Sequence, residues 1–433
     1  MSSQYTFQDL IAAGLLEIGD GYRAKNSELG GDGPIFLRAG HLTDAGFDLS
    51  GTERFRTELW TLVRGKLACP GDTVVTTKGN STGRTGYVGD DLPTFVYSPH
   101  LSYWRSRRPD ELLPAFLRYW ARGPEFIEQL EGMKTSTDMA PYLSLTDQRR
   151  LRITLPSPSS QRTIASTLAA MDDKIELNRR MNRDIEALAS GVFKSWFVDF
   201  DPVIAKRDGK TPVGVPADRV DFFPSHFEDS ELGPIPRGWR IAPLDTVADF
   251  LNGLALQKYP PAGADVLPVI KIAELRAETS VGADRCSGVP QEYVIDDGDV
   301  VFSWSGSLMV DVWCGGRGAL NQHLFKVTST KFPKWYYLRW IEEHLPEFQA
   351  IAADKATTMG HIRRFHLSEA KVLVPPEPLL AAMTSVQEPL LDHVIHNRIE
   401  SRTLGHLRDT LLGPLLSGEI IVKTAEKAVA EVV

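Results

Sequence analysis

The chain has few cysteines and no long apolar run, and each absence removes a class of protein. Its 433 residues include only Cys69, Cys286 and Cys314, which lie far apart and form no Cys-x-x-Cys pair. Neither a zinc site nor a disulfide framework is indicated, and a reducing compartment fits. No run of about 18 apolar residues occurs, so we expect no membrane span. The N-terminus lacks a basic segment and a cleavage site, which predicts no signal peptide and a cytoplasmic location.

Complete catalytic motifs are also missing. GNSTGRT at 79–85 has three residues between its glycines where a phosphate-binding loop has four, and Arg84 replaces the lysine. FDPV at 200–203 and PDELL at 109–113 lack the further residues of amino-methyltransferase and nuclease motifs. The ten histidines show no metal-ligand spacing. We therefore expect a chain that is not an enzyme and holds no metal or cofactor of its own.

Charge is unevenly distributed along the chain. The net charge of −8 argues mildly against a nucleic-acid partner. Residues 54–108, however, carry nine Lys and Arg side chains against four Asp and Glu side chains. Segregated charge can bind a polyanion whatever the net charge. Two interpretations stay open for this segment, a DNA-binding surface and an ordinary solvated face.

The sequence contains an internal repeat, and matching segments of its two copies are separated by about half the length of the chain. Five pairs of segments match in the same order, and their offset drifts only between about 219 and 233 residues. The pairs are FLRAGHL (36–42) with VIKIAEL (269–275), PGDTVVTTKGNSTG (70–83) with DGDVVFSWSGS (297–307), SPHLSYW (98–104) with NQHLFKV (321–327), MKTSTDM (133–139) with DKATTMG (354–360), and LRITLPSP (151–158) with KVLVPPEP (371–378). A repeat of this length indicates a duplicated globule rather than a solenoid.

Each copy predicts a mixed α/β globule followed by a long helix. The β-branched runs DTVVTTK and DVVFSWS open on a Gly-Asp turn and predict strands, whereas PAFLRYWARGPEFIEQL and PKWYYLRWIEEHLPEFQAI have helical apolar spacing. We predict an α+β fold with an internal pseudo-twofold duplication. The predicted segments are a first globule at 1–155, a first helix at 156–198, an irregular linker at 199–235, a second globule at 236–374, a second helix at 375–423, and a tail at 424–433.

The two long helices carry an apolar seam, by which we mean the positions repeated at alternating 3- and 4-residue spacing. In the first helix this seam runs from Ile164 to Trp196 and passes through Asn178 and Asn182, and Asn397 lies at the matching place in the second. Buried seam asparagines fix register in coiled coils. We therefore predict an antiparallel two-helix coiled coil in which Asn178 and Asn397 approach each other, with the globules at opposite ends. The alternative is that the asparagines face solvent and that Leu177, Met181 and Leu188 form the seam.

These stretches carry a family resemblance. The run from LPSPSSQRTIASTLAAMDDKIELNRR to FVDFDPV, together with NRIESRTLGHLRDTLLGPLLSGEI, resembles the helical repeats of DNA-specificity subunits of type I restriction-modification systems. LGPIPRGWRIAPLDTVADFLNG resembles the opening of a target-recognition domain of that family. The first globule departs from the family because the Gly-x-Ile-Pro-x-Gly-Trp opening is missing there.

The resemblance implies that each globule is a target-recognition domain that reads half of an asymmetric, bipartite double-stranded DNA site. It implies that the helices set the spacer and dock two methyltransferase subunits, which restriction subunits then join. S-adenosylmethionine, ATP and Mg²⁺ are expected in those partners and not in this chain. Two other classes stay open, a fused modification or nuclease enzyme and a coiled-coil adaptor that binds no DNA.

Polar loop residues are the candidate DNA readers, because Lys, Arg, Asn, Ser and Thr side chains pair with base edges. The candidates in the first globule are Lys78, Asn80, Ser81, Thr82, Arg84, Lys134, Thr135 and Thr137. The candidates in the second globule are Ser303, Trp304, Ser305, Ser307, Lys355, Thr357, Thr358 and His361.

Overall fold

The computed structural model of the chain describes residues 3–43, 46–134, 142–354 and 360–420. The chain forms two compact units. The first unit comprises Met1–Asp173 and Leu404–Val433, and the second comprises Lys174–Thr403. The limits of the units fall inside two long helices, so each unit contains one globule and a part of each helix.

The first unit combines short strands with short helices. Its strands are β1 (Ser3–Thr6), β2 (Leu16–Asp20), β3 (Ile35–Leu37), β4 (Leu42–Thr43), β5 (Gly46–Phe47), β6 (Thr73–Thr76), β7 (Thr85–Tyr87), β8 (Phe95–Tyr97), β9 (Leu101–Ser106) and β10 (Arg152–Leu155). Its helices are α1 (Phe7–Ala12), α2 (Trp60–Val63), α3 (Pro114–Trp120), α4 (Pro124–Lys134) and α5 (Leu145–Arg150), followed by the start of α6 (Pro158–Phe197).

The main sheet of the first unit has the strand order β2-β9-β6-β7 and is antiparallel. The buried pair Val74 and Val75 lies in β6, where β-branched side chains suit a pleated, packed surface. β3 pairs with β8 in parallel, and β1 pairs with β10 antiparallel. An aromatic core packs beside the sheet, where the rings of Trp104 and Phe126 lie 5.2 Å apart between centroids.

The second unit begins inside α6 and continues through the linker. After α6 come α7 (Asp201–Arg207), α8 (Leu244–Val247), α9 (Ile272–Ala277), α10 (Lys334–Asp354), α11 (Arg364–Glu369) and the start of α12 (Glu377–Ser417). Its strands are β11 (Phe227–Glu228), β12 (Ile235–Pro236), β13 (Arg240–Pro243), β14 (Asp249–Asn252), β15 (Val266–Ile270), β16 (Arg285–Ser287), β17 (Val294–Ile295), β18 (Val300–Ser303), β19 (Met309–Val312), β20 (Gly318–Leu320), β21 (Leu324–Thr328) and β22 (Lys371–Val374).

The sheets of the second unit repeat the topology of the first. The strand order β14-β21-β18-β19 matches β2-β9-β6-β7, the parallel pair β15 and β20 matches β3 and β8, and the antiparallel pair β13 and β22 matches β1 and β10. The predicted α+β fold with an internal duplication is therefore confirmed. The duplication is visible in sequence because the same Gly-Asp turn precedes β6 and β18 and starts the same strand in each globule.

The linker is more ordered than the sequence indicated. Residues 199–235 were predicted to be irregular from their prolines and glycines, yet α7 occupies Asp201–Arg207. Pro202 lies in the first turn of this helix, where a missing backbone N–H costs nothing. The Nζ of Lys206 donates to the carbonyls of Val220 and Phe223, which ties the following segment back to α7. A proline count therefore underestimated the local helix.

The long helices bury the predicted seam. Ile164, Leu168 and Met171 of α6 are buried, as are Leu404 and Leu415 of α12. The alternative seam is wrong, because Leu177 and Leu188 are 45% and 55% exposed.

Within the second unit the two helices run antiparallel. Gln387 donates to the carbonyl of Ala189 at 2.9 Å, and Asn397 donates to Asn182 at 2.8 Å, so residue numbers rise in one helix as they fall in the other. That the globules lie at opposite ends stays a prediction, as do the domain boundaries.

Each globule is completed by the end of a long helix. In the second unit the rings of Phe193 and Phe197, near the end of α6, lie 5.2 Å and 5.8 Å from Trp340 of α10. In the first unit a Cβ on Gly123 would clash with Leu416 of α12, so glycine permits this close approach. The helix ends are therefore part of the globular cores.

Candidate nucleic-acid interface

In the first unit the predicted polar loop 77–84 meets the described segment that begins at Tyr142, and we call this place tip 1 and define it by residues 77–84, His100 and Tyr142. The backbone N–H of Thr77 donates to the carbonyl of His100 at 2.9 Å, and the carbonyl of Thr77 accepts from Leu143 at 2.9 Å. Lys78 and Tyr142 form an antiparallel bridge. The loop after β6 and the segment that precedes α5 therefore form one surface.

The second unit contains the same arrangement, which we call tip 2 and define by residues 304–307, Asn321–His323 and His361. The N–H of Trp304 donates to the carbonyl of His323 at 3.4 Å, and the carbonyl of Trp304 accepts from Ile362 at 3.0 Å. Ser305 and His361 form the antiparallel bridge. The equivalent pairs are consequently Thr77 with Trp304, Lys78 with Ser305, His100 with His323, and Tyr142 with His361.

At tip 1 the candidate side chains differ in their access to solvent. Lys78 and Asn80 are exposed, whereas Ser81 and Arg84 are half-buried. Thr82 is buried, and its hydroxyl donates to the Gly79 carbonyl at 2.6 Å, so it shapes the loop from inside. The Nη1 of Arg84 donates to the Leu42 carbonyl at 3.1 Å, which anchors one side of its guanidinium.

At tip 2 most of the candidate hydroxyls point inward. Ser303 and Ser305 are buried, and the Ser303 hydroxyl donates to the carbonyl of Ser305 at 3.1 Å. Trp304 is half-buried, and its indole Nε1 donates to Asn252 Oδ1 at 2.8 Å. Ser307 is exposed. The remaining candidates Thr135, Thr137, Lys355, Thr357 and Thr358, and the side chain of Lys134, lie outside the described residues.

The basic segment 54–108 is partly internal. Arg105 donates to buried Asp72 at 2.6 Å and 2.7 Å, and this hydrogen bonding raises the pKa of Arg105. Burial, and then the charge of Asp72, raise the pKa of Tyr97, which donates to the same carboxylate. Other basic side chains pair on the surface, such as Lys66 with Asp20 at 2.8 Å. Arg54, Arg56 and Arg64 are exposed. The charge count therefore overstated the basic surface, because it could not see these pairs.

Several residues of the tips were not among the predicted readers. Tyr142 is 60% exposed beside Lys78, and Gln322 and His323 are half-buried at tip 2. Asn252, which accepts from Trp304 of tip 2, is also half-buried. The match of SPHLSYW with NQHLFKV contained a usable signal, since it aligned His100 with His323. The position of Asn252 depended on the pairing of β14 with β21, which no local pattern reveals.

The three asparagines of the helices lie together in the second unit. Asn178, Asn182 and Asn397 are 1%, 8% and 3% exposed. The predicted approach of Asn178 and Asn397 is observed, since Asn178 Nδ2 lies 3.4 Å from the Asn397 carbonyl. The direct side-chain partner of Asn397, however, is Asn182.

Asn178 itself uses a different set of partners. It donates to Glu400 at 2.6 Å and to Ser401 at 3.3 Å. Its Oδ1 is buried without a partner among the described residues. That these asparagines fix the register of the helices stays a prediction.

The described residues contain no group of three or more His, Cys, Asp or Glu side chains that could hold a metal ion. They also contain no helix that is long and apolar enough to cross a membrane.

The chain is similar to proteins of one kind. The sequence profile described as Type I restriction modification DNA specificity domain matches residues 17–187. The type I restriction enzyme HindI specificity subunit of Haemophilus influenzae is 24% identical over 399 residues, which cover 81% of this chain and 86% of that protein. The MjaIX specificity subunit of Methanocaldococcus jannaschii is 24% identical over 309 residues, which cover 69% of this chain and 66% of that protein.

A solved structure supports the fold. The crystal structure of the type I restriction-modification system S subunit from M. genitalium matches with a TM-score of 0.55 and 13% identity, and the match covers 96% of each chain. At that identity the similarity concerns the fold alone. Residues 17–187 match the type I restriction modification DNA specificity domain, and the chain as a whole is similar to specificity subunits of type I restriction enzymes.

Proposed function

We propose that this chain is the DNA-specificity subunit of a type I restriction-modification complex and reads a bipartite, asymmetric site. The observation that supports this best is the pair of tips, where the same backbone scaffold presents different side chains. Lys78 and Tyr142 stand in tip 1 where Ser305 and His361 stand in tip 2. Base edges are distinguished by the donors and acceptors that face them, so different tips suit different half-sites.

In this proposal the chain recognises DNA and its partners perform the chemistry. Two methyltransferase subunits dock on the helical region, and restriction subunits join them. S-adenosylmethionine, ATP and Mg²⁺ belong to those partners, and the complex works in the cytoplasm. The full chain, incubated alone with DNA and S-adenosylmethionine, should transfer no methyl group. Methyl transfer by the purified chain would refute the proposal that it is not an enzyme.

An exchange of one globule tests the bipartite proposal. Residues 1–155 are replaced with the first globule of another specificity subunit, and the chimaera is expressed with the methyltransferase subunits of this system. The methylated motif is then read from genomic DNA. One half of the motif should change, and the other half and the spacer should not. The reciprocal exchange of 236–374 is the matched control and should change the opposite half. A change of both halves, or of neither, by one exchange would contradict the modular reading.

A further inference from the structure

Tip 2 contains a chain of side-chain hydrogen bonds that starts at Gln322. The Nε2 of Gln322 lies 3.3 Å from the Nε2 of His323, and the Nδ1 of His323 lies 2.8 Å from the Oγ of Ser305. An amide nitrogen only donates, so the imidazole Nε2 accepts in this pair. In the tautomer that completes this chain, the ring proton lies on Nδ1 and is donated to the Ser305 hydroxyl, which can accept it. The Nε2 lone pair of His323 then holds the nitrogen end of the Gln322 amide towards the ring.

The imidazole in the middle of this chain is held from several sides. The backbone N–H of His323 donates to Asn321 Oδ1 at 3.2 Å, which tightens the turn between β20 and β21. The centroid of the Trp304 indole lies 6.0 Å from that of the His323 ring. The indole Nε1 of Trp304 donates to Asn252 Oδ1, which holds the indole in place. Ser305 is buried, so its hydroxyl has little freedom to move away. The turn thus presents Gln322 in one orientation before any ligand binds.

The chain leaves Gln322 with an unused acceptor and an unused donor. One N–H of its amide faces His323, and the Oε1 and the second N–H have no partner among the described residues, while the side chain is half-buried at the surface. An adenine in the major groove offers the complementary pair, an N6 donor beside an N7 acceptor. No other base presents this pair in that groove, and glutamine is one of the two side chains that match it in a bidentate manner.

We propose that Gln322 reads one adenine of the second half-site, and that His323 and Ser305 are positioning residues that keep its amide from turning over. This inference rests on the proposed function, because it requires that tip 2 face DNA. An amide free to rotate would offer its donor and acceptor in either order. Holding it at His323 lowers the entropy lost on binding and keeps the order that adenine requires.

The first unit lacks this device. Pro99 precedes His100 at the place where Gln322 precedes His323, and proline offers no side-chain donor or acceptor. Lys78 stands at the place of Ser305. The effect of Gln322 should therefore be confined to the half-site read by the second globule.

The test measures base preference at each position of the target. The full chain is expressed with its methyltransferase subunits, the target is selected from a randomised duplex library, and every base pair is then changed in turn. The wild-type complex should prefer A·T at one position of the second half-site by about 5- to 150-fold. Q322A should abolish this preference at that position alone, and the near-isosteric Q322M should do the same if Q322A folds poorly.

A conservative variant of His323 distinguishes its positioning role from the base-reading role of Gln322. H323A should weaken the preference at the same position, whereas H323Q, which retains an acceptor for the Gln322 amide, should restore part of it. P99A is the matched control in the first unit and should leave every preference unchanged. Because an amide carries no charge, Q322A should also leave the salt dependence of binding unchanged.

Three results would overturn the inference. Q322A could weaken binding to all duplexes equally, with a smaller salt slope, which indicates a backbone contact instead. Its effect could fall on the first half-site or on a position that is not A·T. H323A could leave the Gln322 position untouched, which removes the positioning role. A wild-type complex without any base preference would instead refute the proposed function together with this inference.

Discussion

The hydrogen bond between Asn182 and Asn397 makes a quantitative prediction about the helix pair. The two amides are joined at 2.8 Å, and among the described residues the side-chain nitrogen of Asn397 has no other hydrogen-bond partner. N182A should leave that buried nitrogen unpaired, which costs about 1–3 kcal/mol. Alanine also returns about 0.5 kcal/mol through its higher helix propensity. The net loss of local stability should therefore be about 1.5 kcal/mol.

The double variant N182A/N397A measures how much of each loss in stability comes from the hydrogen bond between Asn182 and Asn397. N397A should cost about as much as N182A, because it leaves the Oδ1 of Asn182 without its partner. When both amides are removed, neither is left unpaired, and the propensity gain is doubled. The doubled gain of about 1 kcal/mol roughly offsets the loss of the hydrogen bond itself, which is worth about 1 kcal/mol. The double variant should therefore be about as stable as the wild type instead of losing the roughly 3 kcal/mol expected from addition, and the resulting coupling of about 3 kcal/mol lies at the upper end of the range for contacting residues.

Native-state hydrogen exchange is the suitable assay, because a chain with two compact units need not unfold in one step. Opening free energies are measured for peptides that cover residues 178–190 and 390–401. A cycle of N178A with N397A is the matched control. The only part of Asn397 to which Asn178 donates among the described residues is the backbone carbonyl, which the substitution keeps, so this cycle should show coupling near zero. Additive effects of N182A and N397A, or equal coupling in both cycles, would refute the assigned pairing.

Three further predictions concern packing, acid stability and DNA affinity. L168A should destabilise the chain by about 2–5 kcal/mol in chemical denaturation, whereas L188A should change it by less than about 0.5 kcal/mol, because only the first side chain is fully buried; similar losses for both would contradict the seam. Burial would raise the pKa of Asp172, but Arg118 and Arg408 outweigh it and hold the pKa below its usual value. The stability that ionised Asp172 contributes is therefore present above about pH 4 and is lost as pH falls through the lower folded-state pKa. D172N should lower the free energy of unfolding by less than a fully buried pair would lose, about 3–5 kcal/mol, and should make the melting temperature less dependent on pH below about pH 5. An unchanged dependence of the melting temperature on acid pH would contradict this account. K78A should weaken DNA binding, with a salt slope smaller by about one if Lys78 meets a phosphate, or with one relaxed position and a cost of about 1–3 kcal/mol if it meets a guanine; unchanged affinity at moderate salt, for this variant and for R84A, would remove tip 1 from the interface.

The internal repeat made much of the fold predictable from the sequence. Gly-Asp followed by a β-branched run occurs before both β6 and β18, and the 3- and 4-residue spacing of Leu168 and its neighbours defined α6 nearly to its ends. Such local patterns are reliable because turn geometry and helix periodicity depend on residues close in sequence. The short helix α7 escaped this reasoning, since a first-turn proline gives the same local signal as a proline in a loop.

Candidate DNA readers were harder to predict than the fold. The sequence identified the polar loops but treated their side chains alike, although Thr82, Ser303 and Ser305 are buried and Lys78 and Asn80 are exposed. Composition cannot distinguish a hydroxyl that shapes a loop from one that faces solvent, because the difference depends on whether the folded chain brings a hydrogen-bond partner close to that hydroxyl. The charge count over residues 54–108 had the same weakness, since Arg105 of β9 is paired with Asp72 of the turn before β6.

By itself the sequence determined the duplication, the α+β class, the helix seam and the places of its buried amides. All of these follow from periodicity and from turn residues within a few positions of one another. Only the tertiary structure decided that Asn397 pairs with Asn182, and that Gln322, His323 and Ser305 form one chain of hydrogen bonds. Asn182 and Asn397 are more than 200 residues apart, and their pairing depends on the stagger of two helices. Hydrogen bonds act over about 3 Å, so only the folded backbone determines which polar side chains come within that distance.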